Sequence, residues 1–299
     1  MRIRAPRTVG RLAACALFMA ALSGLAGCGS QQESSSGDTD ELAHRARQVA
    51  EAWDGAAAAA KWRAGYHPMG DVIQLPSGGL HSQADKRALR DRNFILRGEL
   101  PDASPKDGKV TRRGGRSLQR PVVGAREAYK SLAGSGDERP HLTVTGAKLG
   151  TMTVDTNRGK ATVPAWLFTL DGYDSPLKRA AVVPSKLPTP PIKPTSDVSG
   201  FSLHHLVRIA DDGRSVTVVA QHGVCDNGPV VKALETRESV VLSATVGKRE
   251  KGGHCTKQAK LQQVTVKLDR PLRDRVLLDA ITGRPVPFRG LVGPTPSWS

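Results

Sequence analysis

The stretch LTVTGAKLGTMTVDTNRGKATVPAWLFTL, residues 142–170, decides the fold class. Its two arms, Leu142–Asp155 and Lys160–Leu170, are rich in Thr, Val and aromatic side chains, which suit a pleated, half-buried surface. Between them stands Thr156-Asn157-Arg158-Gly159, a turn signal, so the stretch predicts a β-hairpin. Pro164 has no N–H to give to a ladder and places the second arm at a sheet edge or a bulge near its start. Trp166 and Phe168 share strand parity and are predicted to fill the core.

On the C-terminal side, Pro184, Pro188, Pro190, Pro191 and Pro194 make an extended, polyproline-like connection over 184–199. Beyond it, Phe201–Ile209, Ser215–Ala220, Val230–Ala233, Ser239–Val246, Leu261–Leu268 and Arg275–Leu278 read as closely spaced strands, separated by turn signals such as Asp211-Asp212-Gly213-Arg214. The chain is therefore predicted to be mainly β, as antiparallel sandwich or barrel-like sheets in one or two lobes. The first lobe is expected over 140–183 and the second over 200–290, with a tail at 291–299. Leu170-Asp171 followed by Pro176-Leu177, and Leu268-Asp269 followed by Pro271-Leu272, form a weak internal echo that would fit a duplicated β unit.

On the N-terminal side, one amphipathic helix is expected over 39–66, with Asp38 and Glu41 at capping-box spacing. Its stripe of Leu42, Ala46, Val49, Trp53 and later alanines is small enough to pack on the protein's own sheets. Trp53 and Trp62 lie nine positions apart and do not share a face of one continuous helix. Residues 67–139 read as loops with isolated strands at Val72–Leu75 and Phe94–Leu96. Lys106, Lys109, Arg112, Arg113, Arg116 and Arg120 there predict a solvated loop.

At the start, Arg2, Arg4, Arg7 and Arg11 precede an apolar run from about Leu12 to Ala26, shorter than the roughly 20 apolar residues a spanning helix needs. Leu25-Ala26-Gly27-Cys28 resembles a bacterial lipoprotein signal. That resemblance implies removal of residues 1–27, with Cys15 among them, and lipidation of Cys28, whose two acyl chains would hold the protein to a membrane. Residues 28–38 then form a polar tether. Losing four arginines and no acid leaves 40 basic residues against 28 acidic ones, a formal charge of +12. Such a surface would attract anionic lipid, wall polymer or acidic protein. With only 5 Phe, 4 Trp and 3 Tyr, the chain lacks the stacking platforms of single-strand nucleic-acid binders.

Cys225 and Cys255 remain, and in an exported protein they are expected to pair as a structural disulfide. The closed loop of about 30 residues would contribute roughly 3–4 kcal/mol in the chain-entropy model. With His222 and His254 they could instead form a two-Cys, two-His zinc site, but adjacent residues on a strand point to opposite faces, so no metal is assigned. His204-His205 is expected to place one ring inside and one outside. Asp269, Asp274 and Asp279, interleaved with Arg270, Arg273 and Arg275, read as a surface ion-pair ladder. There is no Gly-x-Ser-x-Gly elbow, His-Glu-x-x-His helix or phosphate loop, so no catalytic residue and no cofactor is assigned.

Gly223–Pro229, His254-Cys255-Thr256 and the run Val264–Arg275 together resemble a module of uncharacterised surface lipoproteins of Streptomyces-like actinobacteria, and Val163–Thr169 looks like the same group. The resemblance covers much of 140–285 and implies a cell-surface location without an established activity. The expected role is a lipid-anchored binding module on the outer face of the membrane for an envelope protein or an anionic wall polymer. An envelope hydrolase with scattered catalytic groups, or a solute-capture lipoprotein, stands as the alternative.

Overall fold

A computed structural model describes residues 34–103, 105–112, 117–134, 139–247, 256 and 258–289. In chain order the elements are α1 (Ser34–Trp53), α2 (Ala57–Ala64), β1 (Ile73–Gln74), α3 (Gln83–Arg90), β2 (Phe94–Leu96), β3 (Asp107–Arg112), β4 (Ser117–Pro121) and α4 (Ala125–Leu132). They continue with β5 (Leu142–Thr156), β6 (Gly159–Leu170), β7 (Leu177–Ala180), β8 (His205–Ile209), β9 (Ser215–Gly223), β10 (Pro229–Glu235), β11 (Ser239–Val246), β12 (Ala259–Lys267) and β13 (Val276–Asp279). The chain is mainly β, in several sheets.

The hairpin β5–β6 is the spine of a seven-stranded, curled sheet, with Thr156 opposite Gly159 at its tip and Gly159 at φ 83°. The register slips between Val144 and Gly146, and this bulge changes which side of β5 faces inward. Before it, Leu142 and Val144 join Trp166, Phe168 and Leu170 under α3 and α4. After it, Met152 and Val154 join Val163 and Ala165 in a second core on the opposite face. Gly98 sits against the bulge, where an added Cβ would lie 1.8 Å from the Thr145 carbonyl oxygen. Pro164 is not at an edge, since β6 pairs with β5, β3 and β7. Instead β3 covers Ala161 and Thr162, β7 covers Ala165–Phe168, and Pro164 falls in the gap between them. Its carbonyl accepts from the Ala181 N–H on that side, so the missing donor faces no ladder partner.

Region 67–139 is far less loop-like than its composition predicts. It contributes β1–β4 to the sheet and adds α3 and α4. Ser82 and Asp85 form a reciprocal capping box that starts α3. The first lobe therefore begins well before residue 140. The cation-rich stretch is in part the β3–β4 hairpin; Arg113 and Arg116 lie outside the described residues. Arg112 Nη2 donates to the Gly65 carbonyl (2.7 Å), and Arg120 donates to the Val183 and Pro184 carbonyls (3.0 and 2.9 Å). These two arginines are fasteners rather than solvated loop charges.

The C-terminal strands form two three-stranded sheets, β10-β11-β13 and β12-β9-β8. β11 lies between α1 on one face and the other sheet on the other, which explains its uninterrupted apolar run Val240-Val241-Leu242. The sheets are not wholly antiparallel: β11 pairs with β13 in parallel, as β2 does with β5. That difference removes the duplicated unit, because β7 returns antiparallel onto its predecessor β6 whereas β13 skips β12. The proline-rich segment is also no free linker. Leu187, Ile192 and Val198 pack on the core, and the Thr195 N–H donates to the Ile281 carbonyl (3.0 Å).

The expected single helix is two. Its first turn, 34–38, takes up part of the expected tether, and the chain breaks at Asp54–Ala56 with Gly55 at φ 75°. Glu238 accepts from the Gly55 N–H (3.1 Å) and Asp54 accepts from the Ser239 hydroxyl (2.8 Å), pinning the break to the start of β11. Nine positions of unbroken helix would put Trp53 and Trp62 on opposite sides. The break turns both into one core with Leu42, Ala46 and Val49.

Candidate functional site

Where the β5–β6 tip meets the sheet β12-β9-β8, the surface opens into a groove. On that sheet Val216, Val218 and Ala220 point into the core, so alternate positions face outward. Two cross-strand rows result: His205–Val219–Gln263 and Arg208–Thr217–Thr265. The Thr217 and Thr265 hydroxyls bond to each other at 3.0 Å. The facing wall is Met69-Gly70-Asp71 together with Asp155, held by the Met69 N–H donating to the Asp155 carbonyl (2.8 Å). Gly70 is required there, since a Cβ would lie 2.9 Å from that of Asp155. The enclosed volume is about 660 Å³, with Phe288 and Arg289 closing one end.

A second cavity of about 410 Å³ adjoins the first, and Asp155 and Ile209 line both. Its walls are the hairpin tip, the β8–β9 turn at Asp211-Asp212-Gly213, and Pro271-Leu272-Arg273. Lys160 Nζ spans the mouth, 3.1 Å from Asp155 Oδ1 and 3.4 Å from Asp211 Oδ1. The hydrogen bond to Asp155 is the main cause of its raised pKa. Burial, then Arg289 and His204, lower that of His205. The combined lining carries Arg158, Lys160, Arg208, Arg273 and Arg289 against Asp71, Asp155, Asp211 and Asp212.

These carboxylates are open to water: the side chains of Asp155 and Asp211 are 42% and 94% exposed. Charges this open to water are screened, and ion pairs between them contribute little. The buried titratable groups are used elsewhere. Asp279 is buried, which raises its pKa, and its carboxylate accepts from the Leu203 and Thr282 N–H groups, both at 2.7 Å. Arg275 pairs with Glu235 at 2.7 Å while donating to the carbonyls of Arg270 and Pro271. Two members of the supposed surface ladder are thus interior clamps. Sequence reading missed this because strand β13 is inside, between β11 and the returning segment at Pro285.

His67 is fully buried and stacks on Trp62, with ring centroids 4.3 Å apart and planes 7° from parallel. Burial, then the nearby Arg120 and Arg112, push its pKa down to about 4, so the ring is neutral at pH 7. It joins the two halves: its N–H donates to Asn157 Oδ1 (3.3 Å), and its carbonyl accepts from the Asn157 N–H (2.9 Å).

Of the residues singled out from sequence, Cys28 and Cys255 lie outside the described residues. Cys225 is disulfide-bonded, on the turn after β9. Nearby His222 is nearly buried with Nδ1 2.8 Å from the Gly223 oxygen, and His254 is outside the described residues. His204 is exposed and His205 half-buried. Among the described residues no three His, Cys, Asp or Glu side chains gather as metal ligands. None of the groove residues was singled out as a site; the tip Asp155–Lys160 was legible only as a turn. Among the described residues no helix is long and apolar enough to cross a membrane. No protein-family model, curated protein or solved structure matches the chain.

Proposed function

We propose that this protein is a membrane-anchored extracytoplasmic lipoprotein, tethered through Cys28, whose groove between the β5–β6 tip and the outer face of β12-β9-β8 binds a segment of another envelope protein. The anchor rests on the Leu25–Cys28 pattern and the basic, apolar leader before it. The binding role rests on the groove lining, where both charge signs are interspersed beside the Gln263 amide and the His205 imidazole. A uniform polyanion would meet four aspartates there, whereas a peptide of mixed charge can complement each wall. Exposure of the groove carboxylates weighs against the hydrolase reading.

The test is in-cell cross-linking of the full chain, comparing the native form with Cys28→Ala and with Arg208→Glu/Arg289→Glu. One neighbour captured by the native protein and lost in both variants supports the reading. A neighbour captured equally well by the groove variant would overturn the assigned surface, and one captured equally without Cys28 would overturn the anchor.

A further inference from the structure

α1 does not seal its sheet where the helix begins. At its far end Asp54 accepts from the Ser239 hydroxyl at the start of β11. Near its beginning, an added Cβ on Gly200 would meet Leu42 at 3.2 Å and the Ala244 oxygen at 3.1 Å. The helix therefore runs antiparallel to β11, with its first turns over the strand's end. β11 turns Val241, Ser243 and Thr245 towards α1. Val241 is fully buried, but Ser243 and Thr245 are only half-buried and, opposite Ala43 and Ala46, are too short to fill the space. What remains is a cavity of about 190 Å³ between the helix and β10, with Leu42 and Leu234 among its walls.

Three observations give this cavity a ligand chemistry. Its walls are mainly apolar, and its volume lies below the roughly 300–1,000 Å³ of sites for drug-sized molecules, which suits one narrow hydrocarbon chain. Val230, 39% exposed, shares a face of β10 with Lys232 and Leu234 and continues the apolar surface outward beside Thr245. The rim carries Arg47 and Lys232, both exposed, and no carboxylate lines the cavity. Neither cation has an ion pair or a side-chain hydrogen bond among the described residues. The third observation is position: α1 starts at Ser34, and the six peptide units from Cys28 to Ser34 span at most about 20 Å. A lipidated Cys28 therefore holds this end of the molecule close to the membrane.

We infer that this cavity takes one acyl chain of an anionic phospholipid of the membrane, with Arg47 and Lys232 meeting the headgroup phosphate. Long cationic side chains lay their stems along apolar surface and keep their charge at headgroup level, which suits residues on the rim. The uncompensated pair favours a phospholipid over the protein's own anchor, because the diacylglycerol expected on Cys28 carries no charge to meet them. The inference rests on the lipoprotein reading for the nearness of the membrane, and it leaves the groove to the protein partner.

The chain from residue 28 onward, which keeps every described residue, is prepared without lipid on Cys28 and labelled for amide NMR. It is titrated with dihexanoylphosphatidylglycerol and, separately, dihexanoylphosphatidylcholine, both below the concentrations at which they form micelles. The amides of Ala43, Lys232 and Leu234 should shift saturably, and the anionic lipid should bind about three-fold tighter at low salt. Arg47→Gln/Lys232→Gln should remove that preference. Ala43→Trp, which fills the cavity, should weaken both lipids about ten-fold, and Ala43→Leu serves if the tryptophan variant does not fold. No saturable shift, equal affinity in the filled variant, or no headgroup preference overturns the site as assigned. The lipidated chain in vesicles of phosphatidylglycerol with a photoreactive tail should be labelled on the peptides of α1 and β10. Labelling of the unlipidated chain alone would hand the cavity to the protein's own anchor and overturn the phospholipid assignment. The titration needs no lipid on Cys28, so a failed cavity is separable from a failed anchor reading, which the mass of the native Cys28 peptide decides.

Discussion

The C-terminal half and the curled sheet solve the same problem by different means. In the C-terminal half, α1, α2 and two sheets surround one contiguous apolar cluster that reaches from Leu42 to Phe288. The curled sheet splits its apolar residues into two smaller clusters on opposite faces, divided by the bulge at Val144–Gly146. Arginines compensate for what the smaller cores leave open. Arg92 donates to the Ser131, Leu132 and Ala133 carbonyls at the end of α4 (3.0, 3.2 and 3.1 Å). Arg112 and Arg158 donate to carbonyls at the end of α2, and Arg120 to the chain leaving the sheet. A guanidinium offers five donors in a fixed fork, which suits orphan carbonyls at helix ends and in loops. Part of the chain's large basic excess therefore has an internal use, which a reading of net charge as surface attraction overlooks.

The contrast can be broken most directly by truncating one aromatic in each half. Trp53→Ala, which also frees the Gly283 carbonyl held by the indole N–H at 2.8 Å, should cost about 3–5 kcal/mol in chemical denaturation. Trp166→Ala should cost about the same. If the cores are separate, the two losses should add to within roughly 0.5 kcal/mol in the double variant, whereas a larger coupling would merge them into one core.

Reduction of the Cys225 disulfide should lower stability by roughly 3 kcal/mol if its partner is Cys255, through the loop entropy restored to the unfolded chain. Peptide mapping under non-reducing conditions identifies the partner, and a different one would change the loop and the expected loss.

His67 tests the seam between the halves. Its folded pKa of about 4 lies below the ordinary 6.5, so the unfolded chain binds the extra proton first. Its stability contribution is therefore full above pH 6.5 and is lost as pH falls from there towards 4. The loss is about 3 kcal/mol at most. His67→Gln should flatten the stability profile between pH 6.5 and 4, and an unchanged slope would assign that pH dependence to other groups.

Arg92→Met keeps the apolar stem and removes the cap on α4, with an expected cost of about 2 kcal/mol. A loss under about 0.5 kcal/mol would show that water replaces the guanidinium without penalty and that the arginine contrast is only geometric. The smallest effect is expected at Lys160→Gln, where an exposed ion pair is worth below about 1 kcal/mol.

Legibility followed sequence separation. The hairpin β5–β6 and all six C-terminal strands could be located because each pairs through a short turn or carries an obvious apolar run. α3 and α4, eight residues each, carry too few apolar positions for a period to stand out among glycines and charges. β1 and β2, two and three residues long, are strands only because β7 and β5 offer an edge. The candidate groove was illegible for the same reason, as its walls come from residues near 70, 155, 208, 217, 265 and 288.

The sequence by itself determined the β-rich class, the long hairpin, the apolar stripe of α1 and the expectation of an exported, lipidated chain, all of which depend on local periodicity, turn chemistry or a contiguous motif. Tertiary structure alone decided that the helix breaks at Gly55, that Pro164 sits in a gap between two partner strands, and that Arg112, Arg120 and Arg275 turn inward. Each depends on which remote backbone supplies a carbonyl, an edge or an opposing residue, and a pattern read along one strand holds no record of what lies across from it.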